Sequence, residues 1–275
     1  MIRNISRLSS LLIGAVLLVA VGAPAQADEA PPSSMASLGD SITRGFNACG
    51  WYTDCEERSW STGDDSTVNS HYLRILAKNP AISGRNYNDA KTGADAADLA
   101  GQAGTAVGQG AEYVTILIGA NDACTDSESE MTPVPDFRSQ IDSALATLGS
   151  GLPSAKVLIL SVPDLKRLWE IGKDSSGART AWDTFNICQS MLANPTSTDP
   201  EDEARRDRVR QQVIDYNAQL AEACQAYGAN CKFDGNAVFN YPFELSQLSG
   251  WDFFHPDIEG QHVLAEISYA AGYNW

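Results

Sequence analysis

Three short blocks of this chain hold side chains capable of covalent chemistry. Gly39-Asp40-Ser41 follows an apolar run in "SLGDSITRG", Gly119-Ala120-Asn121-Asp122 closes "EYVTILIGAND", and Asp252-Phe253-Phe254-His255-Pro256 lies near the C-terminus. A serine hydroxyl becomes a useful nucleophile beside a general base, and the candidates are His71, His255 and His262. His255 fits best. It sits in a loop ahead of a predicted helix with Pro256 suited to the first turn, and Asp252, three residues upstream, could accept from the far ring nitrogen. His71 falls inside a predicted helix beside core-like Tyr72 and Leu73, and His262 occupies a second helical turn, so both read as structural. Taken singly the blocks are ordinary: Gly-Asp-Ser is often a turn, Asn-Asp a cap and His-Pro a helix start. Asp252 could equally cap the loop while a backbone carbonyl supports the imidazole.

Acyl transfer also needs donors for the developing oxyanion. Asn121, after a buried strand, is placed to offer an amide. Gly93, in "DAKTGADAADL", stands just before a helix, where a backbone N–H can point free. No CxxC or HExxH spacing is present and histidine is scarce, so a metal site is not expected. A Gly-x-Ser-x-Gly elbow is also missing, which argues against the usual nucleophile turn of α/β-hydrolases.

The elements that must position these groups alternate between apolar runs and amphipathic stretches, as expected for a mostly parallel sheet covered by helices. Strands are expected at 34–38, 112–119 and 155–162. The last two are dense in Val, Ile and Leu without polar alternation, so they read as central. Helical spacing marks 67–78, 95–108, 136–148 and 198–228, with Pro135 near one start, Gly149 beyond that helix's end and Gly228 closing the last. Residues 163–195 mix Trp169, Trp182, Phe185, Met191 and Leu192 with Gly-Ser punctuation, a pattern that fits core packing better than a cover over a cleft.

Residues 1–27 have the order of a secretory signal: Arg3 and Arg7, an apolar run from Leu11 to Val21, then Ala25-Gln26-Ala27. The remaining 28–275 are expected to form one domain, exported and extracellular, with no stable membrane anchor. The formal net charge is −16, and removal of Arg3 and Arg7 takes it to −18. Such a surface repels phosphate backbones, which argues against nucleic-acid partners. In an exported chain the six cysteines, Cys49, Cys55, Cys124, Cys188, Cys224 and Cys231, are expected to form three disulfides. Fifteen connectivities are open. Pairing Cys49 with Cys55 and Cys224 with Cys231 would close two short loops and leave Cys124 with Cys188.

Taken together and in order, the blocks resemble those of the SGNH, or GDSL-type, hydrolases, a family that includes secreted actinomycete lipases and phospholipases. "SLGDSITRG" matches the first block with Ile42 in place of the leucine, "KTGAD" the glycine block, "IGAND" the asparagine block and "DFFHP" the last, across residues 34–270. The resemblance implies a three-layer α/β/α, flavodoxin-like fold and a monomeric serine esterase without cofactor or metal. It implies Ser41 as nucleophile and His255 as base oriented by Asp252. The oxyanion hole would comprise the Ser41 N–H, the Gly93 N–H (Gly84 being the other glycine available) and the Asn121 amide. Its substrate would be a small-molecule or lipid ester. Phe46, Trp51, Tyr52, Trp251, Phe253 and Phe254 could line a path for acyl chains, stack on the sugar of a carbohydrate acetyl ester, or close the core. A non-catalytic binding module on the same scaffold is the other class.

Overall fold

The computed structural model describes Met1 and residues 30–275, so the expected secretory signal lies, apart from Met1, outside the described residues. Among these, five strands carry the frame: β1 (Met35–Gly39), β2 (Asn86–Asn88), β3 (Tyr113–Leu117), β4 (Lys156–Ile159) and β5 (Cys231–Phe233). They form one sheet in the order β2-β1-β3-β4-β5, with every neighbouring pair parallel. All residues of β1 and β3 are buried, Ser37 and Thr115 with their hydroxyls partnered by Thr62 and Ser61, while β2 and β5 form half-buried edges. In this order the chain leaves β1 and β3 toward different neighbours, and the crevice beyond their carboxyl ends is where open parallel sheets bind ligands.

The helices are α1 (His71–Leu76), α2 (Leu99–Gln109), α3 (Ala120–Ala123), α4 (Val134–Gly151), α5 (Leu165–Gly172), α6 (Ser176–Thr184), α7 (Gln189–Leu192), α8 (Pro200–Tyr227), α9 (Ala237–Asn240) and α10 (Ile258–Ala271). On one face α2, α4 and α8 pack side by side. On the other lie α1 and α10, joined where His71 Nε2 meets Ser268 Oγ at 2.7 Å. The pleat of β3 shows the division: Tyr113 and Thr115 reach His71 and Ser61 on the α1/α10 side, so Val114 and Ile116 face the other layer. This is the expected α/β/α arrangement.

Several boundaries differ from the expectation for physical reasons. The helix expected over 67–78 begins only at His71, because Asn69 is left-handed (φ 51°) and the Ser70 hydroxyl caps the helix by accepting from Leu73 N–H. Gly149 does not lie beyond α4; the helix continues to Gly151, where a Cβ would stand 2.4 Å from Val107, so the glycine lets α4 close on α2. Pro256 is not in the first turn of α10, whose cap is Asp257, accepting from Gly260 N–H. Strands β2 and β5, three residues each, have no alternation or apolar run to announce them. The stretch 163–195 folds as α5, α6 and α7, and it buries Trp169, Trp182, Met191 and Leu192 but leaves Phe185 half exposed.

The six cysteines pair as Cys49–Cys55, Cys124–Cys188 and Cys224–Cys231. No helix among the described residues is long and apolar enough to cross a membrane.

Candidate active site

Ser41 owes its position to the way β1 ends. Gly39 has φ 148°, and a Cβ there would lie 2.3 Å from the Leu117 carbonyl oxygen, so only glycine allows β1 to approach β3 this closely. The buried amide of Gln102 on α2 brackets the same residue, accepting from Gly39 N–H at 2.7 Å and donating to its carbonyl at 2.9 Å. The chain then turns sharply. Asp40 Oδ1 accepts from Ile42 N–H at 2.8 Å, and the Ser41 carbonyl accepts from Phe46 N–H at 2.9 Å.

His255 comes to this turn from 214 residues away. Its Nε2 lies 2.7 Å from Ser41 Oγ, and its Nδ1 lies 2.6 Å from Asp252 Oδ2. A carboxylate at Nδ1 selects the tautomer with the proton on that nitrogen, so Nε2 is left as an acceptor for the Ser41 hydroxyl. Asp252 also shapes its own loop: Oδ1 accepts from Phe254 N–H at 3.0 Å and His255 N–H at 3.1 Å. The cap role and the imidazole role weighed from sequence are thus filled by the two oxygens of one carboxylate. Phe253 between them is left-handed at φ 50°, a conformation that a bulky side chain adopts only when its surroundings impose it. The rings of Phe46 and Phe254 flank the imidazole at 4.9 and 5.0 Å.

One partner was invisible in the sequence. Asn47 Nδ2 donates to Asp252 Oδ2 at 2.6 Å, within the buried interior, so the oxygen facing His255 has a second donor fixing it. Asn47 is left-handed (φ 65°), and its N–H donates to the Thr53 carbonyl inside the loop that Cys49–Cys55 closes. No spacing rule links residue 47 to residue 252.

The two proposed oxyanion loops are tied to each other. Asn121, at the start of α3, donates Nδ2–H to the Ala94 carbonyl at 2.7 Å, and Asp122 Oδ2 accepts from Ala96 N–H at 3.0 Å. The amide of Asn121 retains a second N–H. Gly93 is exposed and left-handed (φ 83°) in the turn following β2, the carboxyl end at which Ser41 and Asn121 also lie. Gly84 precedes β2, at the amino end of the strands, opposite to the end that carries Ser41 and Asn121. Ser190 on α7 accepts from Thr125 N–H and donates to the Ala123 carbonyl, and beside it Cys124–Cys188 bolts the end of α3 to the same helix.

Burial governs the acids around the site. Asp40, completely enclosed, has its pKa pushed up to about 7 chiefly by desolvation, against the opposing pull of Ile42 N–H and of His255. Burial likewise raises Asp122 to about 6. The other histidines lie apart from Ser41. His71 is wholly buried between Tyr113 and Ser268, with a pKa lowered to about 3 by desolvation, and His262 contacts the Val68 carbonyl. Among the described residues, one His/Cys/Asp/Glu group has metal-ligand dimensions, Cys49, Cys55 and Glu57, and its two sulfurs are already joined in a disulfide.

The profile of the GDSL-like Lipase/Acylhydrolase family matches residues 35–267. Among solved structures, an extracellular lipase from Streptomyces rimosus is similar at 20% identity, with 86% of this chain and 99% of that one covered and a TM-score of 0.51. A protein of Parabacteroides merdae described as a GDSL-like lipase is similar at 16% identity, with 86% and 94% covered and a TM-score of 0.52. At these identities the likeness is one of fold. No curated protein matches the chain.

Proposed function

The chain belongs to the GDSL-like lipase/acylhydrolase family, and on that footing we propose that it is a secreted, monomeric serine hydrolase that cleaves the acyl esters of lipids or phospholipids. Ser41 Oγ attacks the ester carbonyl while His255 Nε2 takes its proton; the same proton then goes to the departing alcohol as the carbonyl re-forms. Water, deprotonated by the same nitrogen, attacks the acyl-enzyme, and the serine leaves with the returned proton. The Ser41 N–H, the Gly93 N–H and the Asn121 amide serve the oxyanion, and Asp252 stabilises the imidazolium while it lasts.

The observation that carries this assignment is the unbroken relay Ser41 Oγ, His255, Asp252, with separations of 2.7 and 2.6 Å. An apolar substrate is supported by the surroundings of the imidazole. From Phe46 the aromatic contacts run outward to Tyr52 at 5.0 Å and on to Phe185 at 5.9 Å, while the indole of Trp251 donates to the Gly50 carbonyl. Trp51, Tyr52, Phe185 and Trp251 are all half or more exposed. Exposed aromatics gathered beside a reactive serine favour apolar ligands. The three disulfides agree with an exported product.

The test is turnover of p-nitrophenyl acetate, p-nitrophenyl octanoate and phosphatidylcholine by the wild type and by Ser41→Ala. Removal of the nucleophile is expected to lower kcat by ~10⁴-fold or more with the fold intact. Near-native activity in the variant would refute the assignment. Hydrolysis confined to acetyl esters would move the substrate class to carbohydrate acetates.

A further inference from the structure

Phe253, between the acid and the base of the site, carries unfavourable backbone. Its φ of 50° crowds the Cβ of a bulky residue, yet the turn it makes gathers three contacts. Asp252 Oδ1 reaches the N–H groups of Phe254 and His255, and Oδ2 reaches His255 Nδ1. A return of Phe253 to negative φ would rotate residues 254 and 255 away from Asp252 and part all three. The peptide after Phe253 is held from both sides. Asp252 Oδ1 accepts from its N–H at 3.0 Å, and its carbonyl accepts the indole N–H of Trp182 at 3.1 Å, from 71 residues away. Any buried indole N–H needs an acceptor. Here the acceptor belongs to the residue whose conformation needs support.

Trp182 is fixed in turn. It is buried in α6, and a Cβ at Gly172 of α5 would stand 2.3 Å from its indole, so the two helices meet at a glycine. Its carbonyl accepts from Ile187 N–H at 2.9 Å and from the Gln189 amide at 3.2 Å, on either side of Cys188 and its bond to Cys124. Gly177 of the same helix lies against the Phe253 ring, where a Cβ would come within 3.0 Å. Helix α6 thus meets Phe253 through both backbone and ring. We propose that Trp182 is a positioning residue for the reaction: its N–H holds the Phe253 carbonyl, and through it the turn that sets Asp252 against His255. This role rests on the ester-hydrolase assignment above and adds a support that reaches the base from outside its own loop.

Glycine adopts φ 50° without a steric penalty, so in Phe253→Gly the support is dispensable, and a double-mutant cycle tests the role. Trp182→Phe keeps an aromatic ring but removes the donor. It is expected to lower kcat for p-nitrophenyl acetate ~10-fold with KM within ~2-fold, the equivalent of one hydrogen bond. Made in Phe253→Gly, the same change is expected to cost less than ~3-fold. Loss of packing alone would act equally in both backgrounds. Equal losses, or an unchanged kcat in folded Trp182→Phe, would overturn the proposal. If Trp182→Phe fails to fold, 3-benzothienylalanine at the same position, which keeps both rings and puts sulfur in place of the N–H, replaces it. A second readout needs no turnover: the far-downfield proton resonance of His255 Nδ1–H in its bond to Asp252, identified by its loss in His255→Gln. This signal is expected to fade by solvent exchange in Trp182→Phe and to return in the double variant; an undiminished signal in Trp182→Phe would also overturn the proposal. A wild type that hydrolyses no ester, but whose resonance responds in this way, would instead overturn the hydrolase assignment and leave the role of Trp182 in setting the turn standing.

Discussion

Two donors converge on one oxygen of Asp252, the His255 Nδ1–H and the Asn47 amide, each at 2.6 Å. The second donor fixes the oxygen that faces the ring. Replacing Asn47 by alanine would confound this with backbone strain, since the residue is left-handed; glycine keeps φ 65° and removes only the amide. It removes a buried Oδ1 that has no partner, but the donation to the buried Asp252 carboxyl goes with it, so stability is lost as well. Asn47→Gly is therefore expected to lower kcat/KM by ~10- to 100-fold and to lower the melting temperature as well, the loss corresponding to one hydrogen bond to a charged group. Matched pH–rate profiles and thermal melts of the two proteins check it. At this scale the sequence offers the candidate reacting groups but not their supports. Ser41, Asn121, Asp252 and His255 stand in short blocks that announce themselves. Asn47 and Gln102 are single polar residues whose partners lie 205 and 63 positions away, and only the folded chain makes those pairs.

The elements matter through their endings. β1 must stop at a residue without a Cβ because the strand and β3 are at their closest there, whereas the turn after β2 needs a left-handed residue but has open space around it. The two glycines should accordingly respond differently. Gly39→Ala meets the Leu117 carbonyl and is expected to cost ~3 kcal/mol or more and to reduce soluble yield. Gly93→Ala keeps its backbone N–H, meets nothing within 4 Å, and is expected to cost ~1 kcal/mol with a measurable residue of activity. Chemical denaturation beside ester turnover distinguishes the two. Of the elements, β1, β3 and β4 and the long α8 were legible because dense apolar runs and helical stripes are patterns in the sequence. The edge strands were not, because three half-buried residues have none. The late start of α1 depended on a left-handed asparagine whose conformation is imposed by its surroundings.

At the scale of the whole molecule, folding encloses carboxyls that water would rather keep charged. Asp40 is held near 7 and Asp122 near 6, both above the ordinary value of 3.8 because of burial. A raised acid of this kind favours the fold fully below its unfolded pKa, and that contribution is lost as the pH rises through its folded pKa. His71, lowered to about 3, acts in the opposite sense and withdraws stability as the pH falls from 6.5 toward 3. Asp40→Asn removes the first titration while retaining the oxygen that accepts from Ile42. Between pH 5 and pH 8 it is expected to lose ~2 kcal/mol less stability than the wild type, read from urea denaturation at the two pH values. Parallel pH dependences would mean that Asp40 does not titrate in that window. The same fold makes the proposed reaction conditional, since the proposed nucleophile and its proposed base are 214 residues apart and meet only in the native chain. The most direct measurement is therefore mass-spectrometric mapping of the adduct formed by an organophosphonate ester. A single adduct on Ser41 is expected in the native protein, with much slower labelling in His255→Ala and none after unfolding. Native protein that stays unlabelled, or an adduct on any other residue, would contradict the assignment of Ser41 as a nucleophile activated by His255.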